Sequence, residues 1–128
     1  MVAGYRLPER GRILSAAREV LKRHGEVSSL SEMHFLVLNR LKKENPKYRL
    51  SKSRLLKLIA LSHRIGVKVE KRRTDREPEH CPLCGGELKD LPGINLFGER
   101  IKLGKKCSGC GYRIERPNLE PRRYRFYL

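Results

Sequence analysis

The sequence has no glutamine, four asparagines and two methionines, and no apolar run approaching the roughly 18 residues a membrane helix requires. Its first residues, MVAGYRLPERGR, carry no apolar h-region ahead of the arginines, so a cytoplasmic protein without membrane contact is expected. Acidic residues are scarce: 14 Asp and Glu stand against 30 Lys and Arg. The formal net charge is +16 over 128 residues, one uncompensated positive charge for every eight. Missing glutamine with abundant Lys, Arg and Glu fits a thermophile, whose proteins shed thermolabile residues and collect charge. That trend raises Glu together with Lys, whereas this surplus has one sign and points to a polyanionic partner. With 38% hydrophobic residues, the chain can fill one small core or two very small ones, but cannot enclose a deep substrate pocket. Paired carboxylates, a nucleophile with its base and a phosphate-cradling glycine loop are all missing. No enzyme and no small-molecule substrate are expected.

Lys71 to Pro78 contains no apolar residue and ends in proline, which reads as a boundary. It divides the chain into a helical domain at 1–72, a linker at 73–78 and a second domain at 79–128. In the first, Pro8 and Glu9 suit a helix start, Ile13, Leu14, Ala17, Val20 and Leu21 fall on one face, and Gly25 stops the helix. A second helix opens with Ser29 and Glu32 in capping-box spacing, turns Met33, Leu36, Val37 and Leu41 inward and ends at Asn45-Pro46. Phe35 and Leu38 widen its apolar face, which predicts the most buried of the helices. A third opens at Ser51, places Leu55, Leu56, Ile59, Ala60 and His63 on one side and ends at Gly66. His34 and His63 read as core-edge residues. Val67 to Lys71 then alternates like a half-buried strand.

The second domain holds most of the glycines and short strand candidates at Glu87 to Lys89, Arg100 to Lys106, Tyr112 to Glu115 and Arg123 to Leu128. In the last, Tyr124, Phe126 and Leu128 share one side. Its main feature is a repeated device, Cys81-Pro82-Leu83-Cys84-Gly85-Gly86 and Cys107-Ser108-Gly109-Cys110-Gly111-Tyr112. Two residues between cysteines let a tight turn aim both sulfurs at one point, and the following glycine supplies the positive φ such a turn needs. Two such turns complete a tetrahedral four-thiolate site that suits Zn2+. The same thiolates suit an iron site. Thioredoxin-type chemistry lacks its strand-helix context, and His80, beside Cys81, is superfluous once four cysteines are in place.

The pattern resembles a zinc ribbon over residues 79 to 116. The resemblance implies that Cys81, Cys84, Cys107 and Cys110 hold one structural zinc, with no position left for catalytic water. So small a module folds only with its metal. The two cores are expected to be separate, so that Cys107→Ser unfolds the ribbon and spares the helical half. Residues 9 to 72 resemble a winged helix-turn-helix, which makes the whole chain α+β. The match departs from that family in having one strand after the third helix where a wing needs two; the tail strand near Tyr124 to Leu128 is expected to return across the linker as the second.

In that family the third helix presents its first turns to nucleic acid. The matching positions are Lys52, Ser53, Arg54 and Lys57, with Lys47 and Arg49 in the preceding turn. Lysines at a helix start suit phosphate, and of the set only Arg54 suits base readout. Lys71, Arg72 and Arg73 before the boundary and Arg122, Arg123 and Arg125 in the tail complete the candidate contacts. Residues 1–77 hold 20 basic and 8 acidic side chains, and residues 78–128 hold 10 and 6, so the surplus belongs mainly to the helices and linker. The first helix is basic too, and charge on several faces favours an enveloping RNA over a single DNA groove. The chain is similar in size and balance to archaeal ribosomal proteins that pair zinc ribbons with basic extensions. The expectation is an RNA-binding, ribosome-associated protein. The alternative is a DNA-binding transcription regulator whose ribbon contacts DNA or polymerase.

Overall fold

In a computed structural model, residues 6–76, 78–115 and 119–128 are described. The chain forms α1 (Arg10–His24), β1 (Glu26–Val27), α2 (Leu30–Glu44), α3 (Lys52–Ser62), β2 (Gly66–Arg73), β3 (Leu88–Ile94), β4 (Arg100–Cys107), β5 (Arg113–Glu115) and β6 (Leu119–Tyr127). This is an α+β fold with two small antiparallel sheets, ordered β1-β6-β2 and β3-β4-β5.

Local chemistry sets the helix ends. Gly25 closes α1 at φ 77°, its amide donating to the Leu21 carbonyl at 2.8 Å. The Ser29 hydroxyl accepts from the Glu32 amide, and the Ser51 hydroxyl from the Arg54 amide, each at 3.1 Å. The core forms where Ile13, Ala17 and Leu21 of α1 meet Met33, Val37 and Leu41 of α2 and Leu55 and Ile59 of α3. Phe126 of β6 closes it from the sheet side, fully buried.

Two sequence expectations need correction here. Phe35 is 62% exposed, and α2 buries three residues where α1 buries five. A wide apolar face is buried only where another element covers it, and among the described residues no element packs over Phe35. His63 does not extend the apolar side of α3; it caps the helix in the left-handed conformation at φ 57° and is exposed. His34 sits half-buried at the core edge, its Nε2 bonded to the Leu50 carbonyl.

The returning strand is present and is the centre of its sheet. β6 pairs with β1 through Val27↔Phe126 and with β2 through Val67↔Phe126 and Val69↔Tyr124. The order α1-β1-α2-α3-β2-β6 is winged-helix-like, and its strands β2 and β6 are joined by the four-cysteine segment. Leu119–Tyr127, assigned from sequence with the second domain, is thus hydrogen-bonded into the sheet of the helical unit. β2 runs on through Arg73, into the stretch read as a boundary, because Leu119 to Pro121 supply it with partners. A bulge at Arg122 accommodates Pro121, which has no amide to donate.

The two cores are distinct clusters of buried residues that touch through partly buried neighbours. Cys81, Leu83, Cys84 and Cys107 form a small second cluster that packs on Ala60 of α3, Val69 of β2 and Tyr124 of β6. Tyr124 lies against both clusters, because its side chain projects from the strand they share. Lys71 adds a polar tie: its Nζ donates to the Arg113 carbonyl at 3.0 Å and lies 4.9 Å from the centre of the Tyr112 ring.

Candidate metal centre and basic surface

Each cysteine pair is carried by a tight turn. In the first, the Cys81 amide donates to the Gly86 carbonyl at 2.9 Å and the Gly85 amide to the Cys81 carbonyl at 2.8 Å. In the second, the Cys107 amide donates to the Tyr112 carbonyl at 2.8 Å and the Gly111 amide to the Cys107 carbonyl at 3.2 Å. Gly85 and Gly111 sit at φ 74° and 82°, where a side chain is strained. A Cβ on Gly86 would lie 3.2 Å from the sulfurs of both Cys84 and Cys107, so this position also keeps the site clear.

Strands β3 and β4 bring the two turns together. The four sulfurs lie within 4.8 Å of one another, with Cys81 to Cys110 at 3.5 Å and Cys84 to Cys107 at 3.4 Å. A tetrahedral ion with metal–sulfur bonds of about 2.3 Å separates its sulfurs by about 3.8 Å, so one metal ion fits this cluster. His80 is exposed, and its backbone bridges to Glu87; among the described residues the cluster consists of the four cysteines alone.

The surroundings treat the thiols unequally. Burial pushes the Cys107 thiol up, but the amides of Cys110 and Gly109 and the neighbouring cysteines outweigh it and bring it down to about 7. Those amides lie 3.5 and 3.4 Å from the Cys107 sulfur. Burial holds Cys81 and Cys110 above the ordinary thiol range, the latter strongly. Such a set carries one readily ionised sulfur, Cys107, while Cys81 and Cys110 hold their protons more tightly until a cation displaces them.

The structure separates the twelve candidate nucleic-acid contacts. Lys47, Arg49, Lys52, Ser53 and Lys57 are exposed at the start of α3 and in the turn before it, with Lys52 Nζ bonded to the Ser31 hydroxyl at 2.9 Å. Arg54 turns inward: one guanidinium nitrogen donates to the Pro8 carbonyl at 2.9 Å, and another is buried without a partner among the described residues. The residue best suited to base readout therefore anchors the segment ahead of α1. Lys71 is committed to the ribbon. Arg72 pairs with Glu120 at 2.7 Å, Arg123 with Glu70 at 3.7 Å and Arg125 with Glu26 at 3.9 Å, all exposed contacts that hold their arginines weakly. Arg73 and Arg122 are exposed.

Two features escaped the sequence. A groove of about 640 Å³ runs between α1 and the end of α3, floored by Leu14, Leu58 and Ile65 and edged by Arg10, Arg18, Lys22 and Arg64. Those four cations have no ion pair among the described residues. The second is the β3–β4 turn, where Leu96 and Phe97 stand in solvent. Asn95-Leu96-Phe97-Gly98 carried a turn signal, but exposure is a tertiary fact. No helix among the described residues is long and apolar enough to cross a membrane. Comparison of the chain with family models, with curated proteins and with solved structures finds no match.

Proposed function

We propose that this protein binds RNA, as a ribosome-associated protein or factor, with a single structural zinc in its four-cysteine site. The observation that carries the reading is the kind and placement of exposed charge. The first turns of α3 offer Lys52, Ser53 and Lys57 while Arg54 is engaged with Pro8, so the helix itself presents point charges suited to phosphate, with Arg49 in the preceding turn as the exposed guanidinium beside them. Further cations on α1 and beside α3, without an ion pair among the described residues, edge the groove. Charge on several faces, without a base-reading set, suits a folded RNA recognised by shape and backbone.

Four thiolates are the donor set zinc prefers, and they leave it no open position, so the metal holds the fold together and does no chemistry. On this reading the protein is not an enzyme and acts in the cytoplasm. A second reading, a DNA-binding regulator, draws on the sheet order β1-β6-β2, which builds a wing beside α3. The test is binding as a function of salt. Lys52→Ala with Lys57→Ala is expected to weaken binding to a structured RNA and to lower the salt slope by roughly one unit per lost phosphate contact. A preference of the unmodified protein for one DNA duplex over RNA at equal salt selects the second reading.

A further inference from the structure

The register of the second sheet sets three cations side by side. Lys89 of β3 lies opposite Lys106 of β4, and Lys106 lies opposite Arg113 of β5. All three are exposed, and among the described residues none has an ion pair. Like charges directly opposite one another weaken a sheet. Elsewhere the strands offset such charge: Glu70 is opposite Arg123, Arg72 opposite Glu120 and Asp90 opposite Lys105, while Arg125, opposite Lys68, reaches Glu26 at 3.9 Å. By position Glu87 stands one row to one side of the three cations and Glu115 one row to the other, so acids flank the row and do not enter it.

At the Lys89 and Lys106 end the row borders a concavity of about 370 Å³ that His63 and Ser108 also line. Its one acid, Asp90, faces Lys102 at 3.3 Å. The second cysteine turn packs against the end of α3 here, where a Cβ on Gly109 would lie 3.4 Å from Leu61. His63 sits at φ 57°, a conformation in which glycine is the relaxed residue. At the other end Lys71 Nζ, bonded to the Arg113 carbonyl at 3.0 Å, adds a fourth cation. An anion lying across the row relieves the repulsion, and backbone strain such as that of His63 gathers where a side chain is held for a ligand. Strands lie about 4.8 Å apart, so the row spans about 10 Å, longer than one phosphate and suited to a run of them.

We propose that Lys89, Lys106 and Arg113, with His63 at their edge, form a phosphate-backbone site through which the ribbon itself binds RNA. The inference rests on the RNA-binding reading above and deepens it: the lysines of α3 hold one stretch of the RNA and the ribbon holds another. These residues escaped the sequence because only the register of three strands brings them together.

The test uses the full zinc-loaded chain, a structured RNA, and three variants: Lys106→Gln, Lys89→Gln with Arg113→Gln, and all three changes together. The slope of binding against salt is expected to fall by roughly one unit per lost contact, and the triple variant to bind about tenfold more weakly or worse. The free variants should melt no lower than the unmodified chain and hold zinc as firmly against a chelator, because the changes remove repulsion. Cations that served only to balance the four thiolates would give the opposite, a lower melting temperature and loosened zinc, and that result overturns the site. So does a triple variant with unchanged affinity and slope; RNA binding itself then still stands if Lys52→Ala with Lys57→Ala lowers the slope. Inorganic phosphate at the phosphate concentration of the RNA should leave the melting temperature unchanged, and a rise abolished by Lys106→Gln would assign the row to a free anion instead. If the unmodified protein binds no structured RNA, both proposals fall.

Discussion

Cys107→Ser tests how the four-cysteine segment is joined to the helices. Arg73 and Leu119 are paired across β2 and β6, so residues 74–118 form a 45-residue excursion between adjacent strand ends. With its metal the excursion is folded and holds those ends together. Removing one ligand makes it a flexible loop, whose closure costs about 3 kcal/mol by (3/2)RT ln n. Withdrawal of the cysteine turns from Val69, Ala60 and Tyr124 uncovers apolar surface worth about 1–2 kcal/mol more. The helical unit should survive this loss while melting on the order of 20 °C lower or more. Dichroism at 222 nm reports the helices, and metal content reports the site. Joining Arg73 to Leu119 by an Asn-Gly turn removes the loop term and should recover most of the loss. A helical transition within a few degrees of the unmodified protein in Cys107→Ser would refute the reasoning, as would a spliced chain no more stable than the serine variant.

Other predictions follow from single side chains. Phe126→Ala empties the largest fully buried position, and denaturant unfolding should show a loss of about 3–5 kcal/mol, against under 1 kcal/mol for a surface change such as Lys68→Ala. Burial, aided by Tyr124, Cys81 and Cys110, raises the Tyr112 phenol to about 12. Its folded value lies above its unfolded one, so the contribution to stability is complete below about pH 10 and is lost as pH rises through 12. Absorbance at 295 nm should show Tyr112 ionising near pH 12, and ionisation near pH 10 in the folded protein would contradict its burial. Arg54→Lys should lower stability by about 1–2 kcal/mol, because an ammonium cannot reproduce the placement of the guanidinium against the Pro8 carbonyl.

Much of this was legible in the sequence where the cause is local. Ser29, Ser51 and Gly25 mark helix ends because caps act within one turn. The cysteine turns were legible for the same reason, since spacing and glycine together define a knuckle. The missed features depend on what lies across from a residue. β2 extends to Arg73 only because β6 lies beside it, and β3 reaches Ile94, past Pro92, because β4 bulges at Leu103 opposite. Phe35 has core chemistry but no covering element among the described residues. Arg54 has the chemistry of a contact residue, yet its position on α3 directs it toward Pro8. The insertion of the ribbon into the wing was only half legible: the alternation of Tyr124 and Phe126 gave the strand and its face, but the union of two cores through Tyr124 needed the register Val69↔Tyr124.

The central claim is that the surplus of positive charge serves RNA. Crosslinking the full chain in its own cells and sequencing the attached nucleic acid tests it most directly. The account predicts ribosomal RNA, with crosslinked peptides from the start of α3. Recovery of promoter DNA, crosslinked through α3 and the wing, would contradict it.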